Sequence, residues 1–253
     1  MKLRVLTAFA AGVAMLVGAQ AASALTYTSY LEYRDGLSGP QTPYGTVTIE
    51  ELDPNSVRVT VSLADPDSLF VNTGGPHDPF LFNLAAPSSV TVSNTGAQDF
   101  FYAGDGSYQA TPYGTFIDKV GCCQVWVPAK KKTPGHWEDG NGASKGKQGD
   151  LVFTVYNAGG LTFAGVGAQI DPITGKLTGL GTGNQFSSNQ GGWWFAADIY
   201  DGKTGLTYNV AARDAYGPIV PTAAIPEPAT WALMIVGFAG AGALLRRRRA
   251  ALA

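Results

Sequence analysis

The chain has 253 residues, of which 45% are hydrophobic, with 17 basic and 19 acidic side chains, 33 glycines and two cysteines. Six of the basic residues sit near the two ends, so residues 25–228 carry 11 bases against 19 acids, a charge of −8. An acidic body of that kind has no reason to seek phosphate backbones, which argues against a nucleic-acid partner.

At the N-terminus, residues 1–24 begin with Lys2 and Arg4, continue as an apolar run from Val5 to Gly18, and end with Ala22 and Ala24 flanking Ser23. A basic start, a short apolar core and an A-x-A site are the parts of a secretory signal peptide, and place Leu25 first in the mature chain. The apolar run is short for a retained membrane helix.

Residues 25–221 are expected to form one all-β domain, an antiparallel β-sandwich of jelly-roll type. The dominant signal is alternation. In VRVTVSL, Val57, Val59, Val61 and Leu63 alternate with Arg58, Thr60 and Ser62, the pattern of a strand with one face in a core and the other in water. In chain order, YGTVTIE, VRVTVSL, FLFNL, SSVTVS, CQVWV, LVFTVY, WWFAADIY and GLTYNV read as strands. Between them LDPNS, ADPDS, NTGG, AGDGS and YDGKTG supply turn residues. Segment 128–150 has almost no aliphatic side chains and reads as a long exposed loop or hairpin tip. The Gly-rich segment 160–192 predicts tight turns or backbone packed against backbone. No run between residues 25 and 221 sustains a helical apolar period.

Candidate chemistry in the body is sparse. Cys122 and Cys123 are adjacent, and export places them in an oxidising compartment. Three states stay open: a buried thiol beside an exposed one, a vicinal disulfide, or a metal or redox pair. The histidines, His77 and His136, lie in turn-like sequence beside acids without metal-ligand spacing. Asp65 and Asp67, and Glu138, Asp139 and Asn141, offer hard oxygens for calcium but lack EF-hand spacing and read as hydrated turns. No nucleophile elbow, H-E-x-x-H or phosphate-binding loop is expected, so the body reads as non-enzymatic with no cofactor and no metal. A hydrolase would need two carboxylates in one concave pocket. Trp193 and Trp194 are neighbours on a presumed strand and point to opposite faces. One is then a core residue and the other a candidate surface for stacking sugars, which makes a carbohydrate-binding module the alternative function.

The last segment, residues 222–253, is of another kind. Residues 229–245 form 17 uncharged, mostly apolar positions, about 25 Å as a helix and enough for a thin bilayer with Trp231 at its interface. Arg246, Arg247, Arg248 and Arg249 follow, and by the positive-inside rule stay cytoplasmic, leaving the body outside. Pro226, Glu227 and Pro228 precede the span as a stiff, extended element at the outer bilayer surface.

Pro226-Glu227-Pro228, the Trp231-Ala232 pair, the small-residue helix and the basic cluster together resemble a PEP-CTERM sorting signal in its PEPxxWA variant, a tail also labelled an ice-binding protein C-terminal domain. The resemblance covers only the tail. It implies recognition by an exosortase, a multi-pass membrane transpeptidase that cuts near the P-E-P motif and releases or re-anchors the body. It further implies an inner-membrane precursor, a Gram-negative source that makes exopolysaccharide, and a final place on the cell surface or in the extracellular matrix, with exopolysaccharide as a partner.

Overall fold

The computed structural model describes residues 25–218, apart from 76, 86–87, 94–99, 131–135, 140–141 and 183, together with residue 238. The expected signal peptide at 1–24 lies outside the described residues, as does the expected membrane span at 229–245 apart from residue 238. Among the described residues no helix is long and apolar enough to cross a membrane.

Among the described residues seventeen strands follow in chain order. They are β1 (Thr26–Tyr30), β2 (Tyr33–Arg34), β3 (Gly45–Asp53), β4 (Ser56–Leu63), β5 (Leu69–Phe70), β6 (Phe80–Phe82), β7 (Ser89–Ser93), β8 (Phe101–Ala110) and β9 (Gly114–Gly121). After these come β10 (Gln124–Val127), β11 (His136–Asp139), β12 (Leu151–Tyr156), β13 (Gln169–Ile170), β14 (Leu177–Gly179), β15 (Phe195–Asp201), β16 (Leu206–Ala212) and β17 (Ala215–Tyr216). One antiparallel sheet has the order β17-β1-β3-β4-β12-β7, and the second runs β2-β16-β15-β6-β9-β8 with β5 also on β15. The pairs β10-β11 and β13-β14 stand as separate hairpins.

The alternation read in VRVTVSL is what lets the first sheet pack. Val59 of β4 is paired with Ile49 of β3 and Phe153 of β12, and all three are fully buried. Across from them the second sheet presents Phe80, Phe82 and Phe195. Phe153 joins the two layers, its ring centroid 5.1 Å from that of Phe82 and 6.0 Å from that of Phe80. Burying a phenylalanine of this kind contributes about 1.5–3 kcal/mol relative to leaving it exposed.

The second sheet also has a covered outer face. Leu81, Ala196 and Ala211 turn away from the main core into a smaller cluster with Tyr113 and Phe116, against which Tyr33, Tyr108 and Trp193 pack. This double burial explains why β6 and most of β15 are solvent-shielded at successive positions.

Turn chemistry holds at several expected places. In LDPNS the Asp53 carboxylate accepts the Asn55 N–H at 2.7 Å and a short bond from the Ser56 hydroxyl, closing the β3-β4 hairpin. In YDGKTG, Asp201 accepts from the Lys203 N–H and the Thr204 hydroxyl, and Gly205 takes a positive φ of 71°.

Three expectations need correction. AGDGS is not a turn: it lies inside β8, whose pairing with β9 shifts register between Tyr102 and Gly104 and again between Asp105 and Tyr108. Gly104, at φ 93°, supplies a conformation that other residues resist at the first irregularity. The strand expected from Trp193 starts at Phe195. Segment 128–150 is only in part a loop, since His136–Asp139 pairs with β10, and the Lys147 N–H and C=O each bond to Phe70 at 2.8 Å. In the Gly-rich segment the expected close backbone approach is present. A Cβ on Gly165 would lie 2.6 Å from the Gly181 carbonyl carbon.

Candidate functional site

The outer roof of the second sheet borders a cleft of about 700 Å³. Its walls are Asn83, where the chain leaves β6, the β8-β9 connection at 112–115 with Ile117, and the loop 187–193 that leads into β15. Two asparagines stitch these walls together. The Asn83 carboxamide oxygen accepts the Ile117 N–H at 2.8 Å, and its amide donates to the Ser187 carbonyl at 3.4 Å. Asn189 accepts the N–H groups of Gly191 and Trp193 at 2.9 and 3.1 Å and donates to the Tyr113 carbonyl at 2.9 Å. Glycine is needed where the loop folds over the indole, because a Cβ on Gly191 would stand 2.8 Å from the Trp193 ring.

Trp193 is fixed by aromatic neighbours. Tyr33 and Tyr113 meet it at centroid distances of 4.9 and 4.8 Å in edge-to-face geometry, and the Arg213 guanidinium lies 5.6 Å from its ring centre. Trp194 goes the other way, into the main core against Phe163 at 5.1 Å, and is only 9% exposed. The two tryptophans therefore lie on opposite sides of the second sheet, with Trp193 bordering a cleft and Trp194 serving as packing.

A smaller concavity of about 300 Å³ brings Asp105 and Asp118 together. The two are paired across β8 and β9. Asp118 is 2% exposed, and both of its oxygens are used: one accepts the Tyr102 hydroxyl at 2.6 Å, the other the Leu84 N–H at 2.7 Å. Burial pushes the Asp118 carboxyl above its ordinary range, against the pull of those two donors. Its geometry is that of a clamp holding Tyr102 and the end of β6.

Asp198, 1% exposed on β15, is held up to about 6 by burial, with the Thr73 hydroxyl and N–H and nearby His77 acting in the opposite direction. The Nδ1 of His77 is buried and has no hydrogen-bond partner among the described residues. His136 lies on β11, whereas His77 lies in the connection between β5 and β6. Asp65 accepts the Asp67 N–H at 2.9 Å and faces Lys203 at 3.7 Å, a turn satisfied from within. Among the described residues no three histidine, cysteine, aspartate or glutamate side chains gather as metal donors.

The cysteines are resolved: Cys122 and Cys123 form a vicinal disulfide, 1% exposed, with Cys123 at a positive φ of 71°. Both sulfurs lie within 3.8 Å of the Phe70 carbonyl. The expectation that no nucleophile elbow occurs needs correction at the level of pattern, since Gly142-Ala143-Ser144-Lys145-Gly146 has the spacing G-x-S-x-G. Ser144 lies exposed in the 3₁₀ turn Ala143–Lys145 and no helix follows it, so the strand-to-helix turn that such a nucleophile needs is not formed there.

By fold the body is an antiparallel β protein of two packed sheets. A model of the PEP-CTERM protein-sorting motif matches residues 224–249, so the chain carries the sorting signal that its tail resembles. The match supports an exported protein handled by an exosortase at the membrane. No curated protein matches the chain, and no solved structure matches it. The sorting residues Pro226, Glu227, Pro228, Trp231, Ala232 and Arg246 to Arg249 lie outside the described residues, as do Ala22 and Ala24.

Proposed function

We propose that this chain is a non-enzymatic component of the bacterial cell surface or extracellular matrix, in an exopolysaccharide-producing Gram-negative cell. It is made with a signal peptide, held in the inner membrane by its tail, and cut near Pro226-Glu227-Pro228 by an exosortase. The observation that carries this reading is the sorting motif at residues 224–249. Support for a non-catalytic body comes from Asp118, whose oxygens are engaged by Tyr102 and Leu84, and from Ser144, which lacks the local geometry of a nucleophile. Exopolysaccharide is the natural partner in that setting.

The test is a Glu227→Ala chain expressed in a host that has an exosortase. Signal-peptide cleavage and membrane insertion do not use that side chain, so the uncut precursor accumulates in the inner membrane, longer by the tail from about Ala229 and distinguishable by mass. Replacing Arg246 to Arg249 with neutral residues instead disturbs retention and orientation before cutting. A Glu227→Ala chain that reaches the surface at wild-type mass and yield reduces the tail to an ordinary anchor and overturns the proposal.

A further inference from the structure

We infer that the cleft beside Trp193 is a binding site for a neutral, polyhydroxylated ligand, a stretch of uncharged glycan chain. The charge of the lining is the first ground. Residues 25–228 carry a net charge of −8, yet none of the described residues bordering the cleft has a charged side chain, the guanidinium of Arg213 meeting only the Trp193 ring at 5.6 Å. A phosphate, a uronic acid or a cationic ligand would find no counter-charge among these lining residues and would lose hydration with little return. The neighbouring smaller concavity, bordered by Asp105 and Asp118, shows that this neutrality is local.

The available polar groups are the second ground. Asn83 and Asn189 spend their amides on holding the walls, which leaves the hydroxyls of Thr115, Ser187 and Ser188 and the amide of Gln190. These four make no side-chain hydrogen bond within the described protein and border the same space. Hydroxyls and a carboxamide both donate and accept, as sugar hydroxyls do. Trp193, half-buried at the edge of the cleft, supplies the flat apolar component that matches the C–H face of a pyranose ring. The third ground is rigidity. The indole is braced by Tyr33 and Tyr113, and the loop is closed by the Asn189 bonds, so little ordering remains to oppose binding. A volume of about 700 Å³ accommodates a few sugar units.

The experiment is affinity electrophoresis of the full-length protein in mild detergent, through native gels containing dextran, mixed-linkage β-glucan or galactomannan, with alginate as the charged control. Expected is retardation by at least one of the neutral polymers and none by alginate. Thr115→Arg and Gln190→Arg, both at exposed positions that tolerate a long side chain, abolish the retardation while leaving the thermal unfolding transition in place. Trp193→Phe weakens it. Migration unaffected by all three neutral polymers, retardation by alginate alone, or full retention of binding by both arginine variants overturns the inference. The measurement uses purified protein and is independent of export and tail cutting, so its failure leaves the sorting proposal standing and the reverse also holds.

Discussion

The Asp198 carboxylate accepts both the backbone N–H of Thr73, at 2.9 Å, and its hydroxyl, at 2.6 Å, across 125 residues of chain. This bond pair ties the segment after β5 to the centre of β15. It does so with a group that burial holds up to about 6, above an ordinary value of 3.8.

The sign of the pH effect follows. The folded state binds the proton of Asp198 more tightly than the unfolded chain does, so this contribution to stability is fully present below about pH 4 and is lost as pH rises to about 6. Asp198→Asn keeps an oxygen to accept both Thr73 bonds and carries no buried charge. At pH 7.5 it should stabilise the fold by on the order of 1–3 kcal/mol, with the advantage vanishing near pH 4. Urea midpoints of the two proteins at pH 4 and pH 7.5 measure this. An Asn variant that is less stable than the parent at pH 7.5 would refute the penalty assigned to the buried charge.

Gly181→Ala should destabilise the body by about 1–3 kcal/mol, because the new Cβ would press on the Gly165 carbonyl carbon at 2.6 Å and still closer on the Val166 backbone. At Gly167 the cause of strain differs. Nothing lies within 4 Å of its Cβ position, but its φ is +79°, so alanine there costs about 1–2 kcal/mol through backbone conformation alone. Gly167→Asn, which tolerates that conformation, should recover part of the loss, whereas Gly181→Asn should not. Denaturant titrations of the four variants separate the two mechanisms.

Limited trypsin digestion should cut first at Lys130, which is exposed, and spare Lys147, whose backbone is bonded on both sides to Phe70. Mass analysis of the first fragments checks this. Initial cutting at Lys147 would mean that the segment following β11 is not docked on β5.

Thiol titration in denaturant should find no reactive group in the exported protein, and two after reduction, since Cys122 and Cys123 are joined to each other. Two reactive thiols without reductant would refute the bond. A disulfide-linked dimer would refute its pairing.

Legibility in the sequence followed the physics of each element. β4 and β12 were plain because one face of each strand meets a core and the other does not. β8 and β9 were missed because two register shifts break the alternation of β8 and put Gly104, Asp105 and Gly106 where a turn seemed natural. Phe163 was missed for another reason: it sits in a Gly-rich stretch without period, yet packs on Tyr27, Trp194 and Phe186 at 5.1 to 5.4 Å and closes one end of the core. That one of Trp193 and Trp194 faces outward was readable, but which one, and the cleft beside it, was not, since Asn83, the 112–117 segment and the 187–193 loop meet only through tertiary structure. The tail was legible because its parts lie in order along a linear stretch of chain.

The pairing of β17 with β1 has a consequence for maturation. The two strands run antiparallel with Thr28 opposite Tyr216, so continuing the register brings Pro218 level with Thr26. The chain thus enters and leaves the sandwich at one end of one sheet edge. Leu25 is already engaged, its carbonyl accepting the Glu51 N–H at 2.9 Å. The proposed cleavages, before Leu25 and near Pro226, both fall outside the two described sheets and take no strand from them, so on that proposal the body can be relocated without being refolded.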